Sequence, residues 1–297
     1  MRRISIALAV LLFCSSIPVQ GEENNIQIRG GGSVMMEMST AVWCDICADH
    51  EEWIPQIIES NGERIIRVNL HSAINDPLGN EASNYRKGWL GQTDVDSTPS
   101  YHFDGVREST PSSNMGELQR SLLDAEGDRI YHEVLDVSIS FSSSSIFVQA
   151  SIFDPILINS TSVTLMLLEK RATISPDDAT NGKLYSDSVL KNIISVNSDE
   201  SIMFPSDWAS ATFESNNGII ANFSFNWPKD LDSNSTEIVL IHEKSISNGE
   251  RTTLSALSWT TDISLQEPSY SLWVPLMIIG LLIATIVYSS RLGINEQ

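Results

Sequence analysis

Hydrophobic residues change their spacing along this chain near residue 130. Between residues 34 and 128, short apolar runs alternate with segments in which apolar residues recur every three or four positions. The runs predict buried strands, and the three-to-four-residue spacing predicts amphipathic helices. From residue 131 to 264, apolar and polar residues alternate in short runs between turn residues, which is typical of antiparallel strands. The pattern therefore predicts two domains of different fold class.

The first domain, residues 34–128, has the predicted order β-α-β-(α)-β-turn-α. Its predicted strands and helices are, respectively, residues 34–38, 65–70 and 100–103, and residues 45–60, 80–89 and 113–128. Two strands joined by a helix favour a parallel pair with a right-handed crossover. Residues 22–33 end in Arg-Gly-Gly-Gly-Ser, and we expect them to form a flexible linker.

The second domain, residues 131–264, is predicted to be an all-β sandwich of the immunoglobulin or fibronectin type. It contains no cysteine, so packing alone must hold it together. Its tryptophans are most simply explained as core or strand-end residues. Three Asn-x-Ser/Thr sequences lie in this domain and are candidate glycosylation sites. They begin at Asn159, Asn222 and Asn234.

The two ends of the chain predict export and membrane anchoring. Arg2 and Arg3 precede a short apolar segment and a small-residue cleavage site, so residues 1–21 predict a signal peptide. Residues 272–289 are almost entirely apolar and uncharged, with aromatic residues at both ends, and predict a single transmembrane helix. The body would then lie outside the cell membrane, with residues 290–297 as a cytoplasmic tail.

Acidic residues dominate the charge, with 38 Asp and Glu against 18 Lys and Arg, a net charge of −20. A surface of this sign repels nucleic acid and anionic lipid. We therefore expect no nucleic-acid partner.

The most informative motif is Trp-Cys-Asp-Ile-Cys at residues 43–47. Cys14 lies in the predicted signal peptide, so the mature chain would keep only Cys44 and Cys47, which are expected to form a disulfide. A C-x-x-C sequence beside a β-α-β pattern predicts a thioredoxin-like redox motif. A helix N-terminus favours the thiolate, so Cys44 is the predicted nucleophile. Cys47, one turn further, would attack the mixed disulfide, and Trp43 would shield the pair.

Residues 34–128 resemble the thioredoxin family beyond the cysteine pair. In that family a proline with a cis peptide bond faces the cysteines and precedes a strand and a turn. Residues 98–105, Thr-Pro-Ser-Tyr-His-Phe-Asp-Gly, fit this pattern. The resemblance implies that Pro99 is the cis proline and that the backbone of Thr98 pairs with an extended substrate strand.

The chain departs from the family pattern in three places. The dipeptide between the cysteines is Asp-Ile instead of Gly-Pro, and Pro55 lies eight residues past Cys47 instead of five. Glu37, the candidate buried proton acceptor, is one position out of register. The layout of export signal, thioredoxin-like domain and sandwich also resembles a group of bacterial surface proteins. Those carry an E-x-F-[ST]-like run before the C-x-x-C, which residues 37–40, Glu-Met-Ser-Thr, approximate.

Four acidic residues crowd the predicted helix start and oppose a negative charge on Cys44. They are Asp45, Asp49, Glu51 and Glu52. They predict a pKa of Cys44 at or above about 7, the value typical of thioredoxin, and hence a mild redox couple.

The leading functional hypothesis is a membrane-anchored thiol–disulfide oxidoreductase that acts on exported proteins. It needs no cofactor, but it implies a separate electron donor or acceptor. The alternative is a non-catalytic surface scaffold or adhesion protein in which the disulfide is structural. Copper or zinc binding by the two cysteines with a histidine is a third hypothesis, but no His-x-His or Met-rich run supports it, so no metal site is predicted. The candidate histidines are His50, His71 and His102, and His50 is interpreted as a surface residue because acids flank it.

Overall fold

Two β-sheets form the frame of the fold, and one of them joins the two predicted domains. The computed structural model describes residues 25–92, 98–107, 114–129, 133–142, 145–204, 207–245 and 251–260. The strands are β1 (Asn25–Gly30), β2 (Val34–Thr40), β3 (Ile65–His71), β4 (Ser100–Phe103), β5 (Val106–Arg107), β6 (Leu135–Phe141), β7 (Ile146–Ile152), β8 (Thr161–Thr173), β9 (Tyr185–Asn197), β10 (Ala209–Glu214), β11 (Ile219–Phe225), β12 (Thr236–Ser245) and β13 (Arg251–Thr260). The helices are α1 (Asp45–His50), α2 (Ile54–Asn61), α3 (Glu81–Trp89) and α4 (Met115–Asp128), with 3₁₀ turns at Gly62–Arg64 and Ser233–Ser235.

The predicted helix over residues 45–60 is divided into α1 and α2. Pro55 lies in the first turn of α2, where a missing backbone N–H is tolerated. The same proline could not continue α1, because its ring would collide with the carbonyl four residues earlier. The longer helices begin one and two residues later than predicted, at Glu81 and Met115. Asn80 and Asn114 cap them by accepting hydrogen bonds from the backbone N–H groups of Ser83 and Glu117.

The strand order of the eight-stranded sheet is β13-β12-β8-β9-β3-β2-β4-β5. Strands β2 and β3 are parallel, as the β-α-β pattern predicted, and β4 runs antiparallel to β2. Strands β8, β9, β12 and β13 pair antiparallel. The two groups meet where β3 runs parallel to β9, with Asn69 opposite Val189.

The second sheet has the order β1-β6-β7-β11-β10 and completes a β-sandwich. Apolar residues of β6, β7, β10 and β11 form one buried cluster with residues of β8, β9, β12 and β13. Alternate residues of β6, β7 and β11 point into this cluster, which matches the apolar and polar alternation of the sequence. Trp208, Trp227 and Trp259 pack against it while partly exposed.

The predicted linker over residues 22–33 is corrected by the structure, because residues 25–30 form β1 and pair with β6 along their whole length. Gly31 then turns the chain from one sheet to the other, with a φ of 135°. A Cβ at this position would collide with Ser255 Oγ and the Glu133 carbonyl. Pairing with a strand more than one hundred residues away stabilises β1, so its local sequence carried little signal.

The described residues form one compact unit. The predicted boundary near residue 130 marks a change of strand pattern, but the eight-stranded sheet runs across it. Within the part of the chain that the structure describes, no helix is long and apolar enough to span a bilayer. The predicted signal peptide, residues 1–21, transmembrane helix, residues 272–289, and tail, residues 290–297, lie outside the described residues.

Candidate redox site

Cys44 and Cys47 form a disulfide at the start of α1, with their Cα atoms 5.2 Å apart. Cys44 is the N-cap residue, and its Sγ accepts a hydrogen bond of 3.1 Å from the backbone N–H of Cys47. Cys44 is 6% exposed and Cys47 is 1% exposed. Cys44 is thus slightly more exposed than Cys47, and the order of nucleophile and resolving cysteine stays a prediction.

Exposed apolar side chains lie beside the disulfide. Trp43 is 45% exposed and Ile46 is 59% exposed. The indole Nε1–H of Trp43 donates to the carbonyl of Ile74, also an exposed residue, over 2.9 Å. This hydrogen bond fixes the indole at the surface next to Cys44.

The loop that carries Cys44 is held by the connection between β8 and β9. We call residues 41–44 the site loop and residues 174–184 the β8–β9 loop. Thr180 Oγ1 and the Asn181 backbone N–H both donate to the Val42 carbonyl, over 3.2 and 3.1 Å. The Asn181 side-chain amide donates to the carbonyls of Ala41 and Cys44, over 3.5 and 3.4 Å. A segment of the sandwich is therefore part of the site.

Asp76 holds the other side of the site loop. Its Oδ2 accepts a hydrogen bond of 3.1 Å from the Val42 N–H and lies 2.8 Å from His71 Nδ1. His71 Nε2 lies 2.9 Å from Ser186 Oγ on β9. This Ser-His-Asp order resembles a hydrolytic triad, but Ser186 is buried and its hydroxyl also accepts from Asn69 Nδ2. The three side chains serve to tie β9, β3 and the site loop together.

A histidine and a tyrosine hydrogen-bond to each other on the cysteine side of the sheet. His50 is 5% exposed, which corrects its interpretation as a surface residue. Its Nδ1 lies 2.7 Å from the Tyr101 hydroxyl, and its ring packs against Trp53 with the ring centroids 4.8 Å apart. Burial lowers the pKa of His50, while Asp49 and Glu51 raise it. Burial also raises the pKa of Tyr101, so its hydroxyl keeps its proton.

The four acids near the helix start are not equivalent. Asp45 and Asp49 are exposed to solvent. Glu51 instead forms an ion pair with Arg67, and Glu52 lies 3.3 Å from Lys183 of the β8–β9 loop. Partner cations thus offset two of the four charges that oppose a thiolate at Cys44.

The bond between Thr98 and Pro99 is cis, as the family resemblance implied. Pro99 is buried and Thr98 is partly exposed. Ser100 pairs with Ser39 near the end of β2, so Pro99 lies at the sheet edge from which the site loop emerges. Pairing of the Thr98 backbone with a substrate strand stays a prediction.

Glu37 is not placed to take a proton from the cysteines. Met36 and Met38 of β2 belong to the apolar cluster that contains both cysteines, whereas Met35 belongs to a cluster on α3 and the sandwich strands. Because side chains alternate along a strand, Glu37 lies on the face away from the disulfide. There its carboxylate accepts two hydrogen bonds from Arg86, of 2.6 and 2.9 Å.

No protein-family model matches the sequence, and no curated protein matches it either. HBP35 of Porphyromonas gingivalis aligns with a TM-score of 0.60 over 82% of this chain and 78% of that chain, at 14% identity. The fold of this chain is similar to that of HBP35. At such low identity the likeness shows the fold alone.

A family 9 carbohydrate-binding module from Caldicellulosiruptor kristjanssonii was solved with cellotriose and with glucose. These structures cover 44% of this chain and 67% and 69% of their own, at 12% and 13% identity. Their TM-score of 0.30 is too low to show a common fold.

The remaining predicted residues lie apart from the disulfide. Asn159 and Asn234 are exposed, as glycosylation requires. Asn222 is partly buried on β11, where it accepts from Gln149 and donates to Thr212. His102 lies beside Gln92 on the face of the sheet away from the cysteines. Among the described residues, no group of three His, Cys, Asp or Glu side chains is placed to bind a metal.

Sequence reasoning missed the residues that hold the site loop. Asn181 follows Cys44 by 137 positions, and no local pattern connects the two. His50 did carry a signal, since it follows Cys47 by three residues and therefore shares its helix face.

Proposed function

We propose that this protein is a membrane-anchored, extracytoplasmic thiol–disulfide oxidoreductase with a thioredoxin-like module. The observation that carries the proposal is the position of the disulfide. Cys44 is 6% exposed and lies at the helix start between the exposed Trp43 and Ile46, while Cys47 is 1% exposed, one turn further along the same helix. A structural crosslink needs no accessible sulfur, whereas exchange with a substrate does.

In the proposed cycle the reduced Cys44 thiolate attacks a disulfide of an exported protein. One substrate sulfur leaves as a thiolate and takes up a proton, and the other stays bonded to Cys44. The Cys47 thiolate then attacks Cys44 Sγ, which releases the second substrate sulfur and forms the Cys44–Cys47 disulfide. Two electrons pass from the protein to the substrate, and a separate donor must supply the next pair. Run in reverse, with an electron acceptor, the cycle oxidises a substrate dithiol.

The location and the partners are part of the same proposal. The signal peptide over residues 1–21 and the helix over residues 272–289 would hold the body outside the cell membrane. The substrates would be exported proteins, and the net charge of −20 disfavours a nucleic-acid partner.

Trapping of mixed disulfides tests the proposal. A Cys47→Ser variant cannot resolve the intermediate, so it should accumulate exported proteins bonded to Cys44 in native membranes. The matched control is the Cys44→Ser, Cys47→Ser double variant, which should trap nothing. If the single variant traps no more protein than the double variant, the oxidoreductase proposal fails.

The alternative is a non-catalytic scaffold or adhesion protein with a structural disulfide. The specific observation that favours it is the restraint of the site loop by Thr180, Asn181 and Asp76. The redox potential separates the two functions. A potential below about −300 mV would indicate a structural bond, and a value near that of thioredoxin, about −270 mV, would support exchange.

A further inference from the structure

In the proposed exchange cycle, on which this step rests, Cys47 must lose a proton before it can attack, because the thiolate is the nucleophile. A thiol in apolar surroundings holds its proton more tightly than a thiol in water. Cys47 is buried in the cluster that contains Ile54, Ile57 and Tyr101. Efficient release of substrate therefore needs a base next to Cys47.

The acid expected from the family resemblance does not supply this base. Glu37 lies on the other face of β2, and both of its carboxylate oxygens accept hydrogen bonds from Arg86. His50 is the titratable side chain one helical turn beyond Cys47. Helix residues three apart share a face, and a helical side chain covers the turn that precedes it.

Tyr101 shares an apolar cluster with Cys47 and a hydrogen bond with His50. Its hydroxyl lies 2.7 Å from His50 Nδ1. Both rings are buried, and their centroids lie 5.9 Å apart in a stacked arrangement. We propose that His50, oriented by Tyr101, accepts the proton of the Cys47 thiol in the step that releases the substrate.

The release step moves one proton and forms one disulfide bond as another breaks. When the Nδ1–H of the neutral ring donates to the Tyr101 oxygen, the free lone pair lies on Nε2. Nε2 takes the Cys47 proton, and the Cys47 sulfur bonds to Cys44 Sγ as the bond between Cys44 and the substrate breaks. The substrate leaves as a thiolate and takes the proton from the imidazolium, directly or through water. The substrate disulfide is thereby reduced by two electrons, and the cysteine pair is oxidised.

The surroundings of His50 keep it in the form that accepts a proton. Asp49 and Glu51 flank it along the chain, Tyr101 faces it from β4, and Arg67 of β3 is ion-paired with Glu51. Burial lowers the pKa of His50 more than the two acids raise it. The ring is therefore neutral at neutral pH.

Acid-quench kinetics on the purified full-length protein test this assignment. The reduced protein is mixed with a disulfide-bonded peptide between pH 5.5 and 9.5, and mass spectrometry follows the mixed disulfide over time. In His50→Gln, release of the substrate at pH 7 should be slower than in the wild type by at least about tenfold. This is a conservative bound, because a general base typically contributes about a hundredfold or more. Release should approach the wild-type rate near pH 9.5, because hydroxide then deprotonates the thiol. In Tyr101→Phe the rate of release should fall less than in His50→Gln, because this variant keeps the imidazole.

Two further readouts separate proton transfer from a purely structural role. Formation of the mixed disulfide at Cys44 should proceed at the wild-type rate in His50→Gln. Asp49→Asn removes an exposed charge that raises the pKa of His50, so it should move the inflection of the release profile to lower pH.

A His50→Gln profile that matches the wild type would overturn the assignment. A deficit that persists at pH 9.5 and also slows formation of the mixed disulfide would overturn it too. If the wild type forms no mixed disulfide with the peptide, the proposed oxidoreductase function fails, and this step fails with it.

Discussion

The two faces of the sheet around β2 bury polar groups of opposite character. On the face away from the cysteines, Arg86 of α3 lies between Glu37 of β2 and Glu243 of β12, with all three side chains buried. On the cysteine face, His50 and Tyr101 form a hydrogen bond between groups that are neutral at neutral pH. Arg86 holds a fixed charge on the first face, and His50 can take up a proton on the second.

The difference follows from what each face must do. Burial alone would lower the pKa of Arg86, but the carboxylates of Glu243 and Glu37 outweigh it and raise that pKa. The guanidinium of Arg86 therefore stays charged at any pH the protein meets, and its ion pairs link α3 to strands from both halves of the chain. Redox chemistry needs a proton acceptor that changes state, and His50 on the cysteine face is such a group, whereas the guanidinium of Arg86 is not. A buried carboxylate near the site is therefore not evidence of proton transfer until its partner is known.

Removing the guanidinium of Arg86 should give the largest effect on stability. It tests whether the buried ion pairs on the face away from the cysteines serve a structural role. Arg86→Met leaves two carboxylates buried without their partner, so the free energy of unfolding should fall by about 3–5 kcal/mol. Urea unfolding of the oxidised protein measures this loss. Replacement of an exposed partner, Arg171→Met, should change stability by less than about 1 kcal/mol, because its ion pair with Asp187 is exposed to solvent.

The comparison would break if Arg86→Met were as stable as Arg171→Met. It would also break if Arg86→Met, while folded, abolished the pH dependence of substrate release. Either result would place the fixed charges within the redox chemistry.

The sequence predicted the elements whose signals are local. The β-α-β order, the C-x-x-C at a helix start and the Thr-Pro before β4 lie where predicted, and β6, β7 and β11 show the alternation that predicted a sandwich. Each depends on periodicity or on a motif shorter than ten residues. The break between α1 and α2 also had a local signal, in Pro55.

The elements that sequence reasoning missed depend on distant partners. Strand β1 is stabilised by its pairing with β6. Glu37 is not available as a base because it forms an ion pair with Arg86, which also pairs with Glu243. The β8–β9 loop reaches the site loop only because β9 joins β3 in one sheet. No pattern within a single segment of the sequence predicts these long-range contacts.

Removing the hydrogen bonds that hold the site loop should have a smaller effect, seen in the rate at which the disulfide is reduced. Asn181→Ala removes hydrogen bonds to the carbonyls of Ala41 and Cys44, each worth about 0.5–1.5 kcal/mol. About 1 kcal/mol of local destabilisation corresponds to a roughly fivefold larger open population of the site loop. Reduction of the disulfide by dithiothreitol should therefore be a few times faster than in the wild type.

Asn197→Ala is the matched control, because Asn197 bonds to Ser201 at the surface and not to the site loop. Equal reduction rates in the two variants would show that the β8–β9 loop does not restrain the disulfide. The hydrogen bonds from Asn181 would then not limit the opening of the site loop.

The smallest expected effect concerns the exposed acids near Cys44. With Glu51 and Glu52 offset by cations, Asp45 and Asp49 are the charges that oppose a thiolate, so the pKa of Cys44 should still lie at or above about 7. Asp45→Asn should lower that pKa by a few tenths of a unit, because removal of a nearby like charge favours the thiolate. The rate of alkylation of the reduced protein against pH measures it, with the exposed and distant Asp154→Asn as control. A pKa near 4 in the wild type would contradict the prediction and would mean that the helix start outweighs its acids. The cysteine face would then hold a permanent charge at neutral pH, as the Arg86 face does, and the contrast between the two faces would be lost.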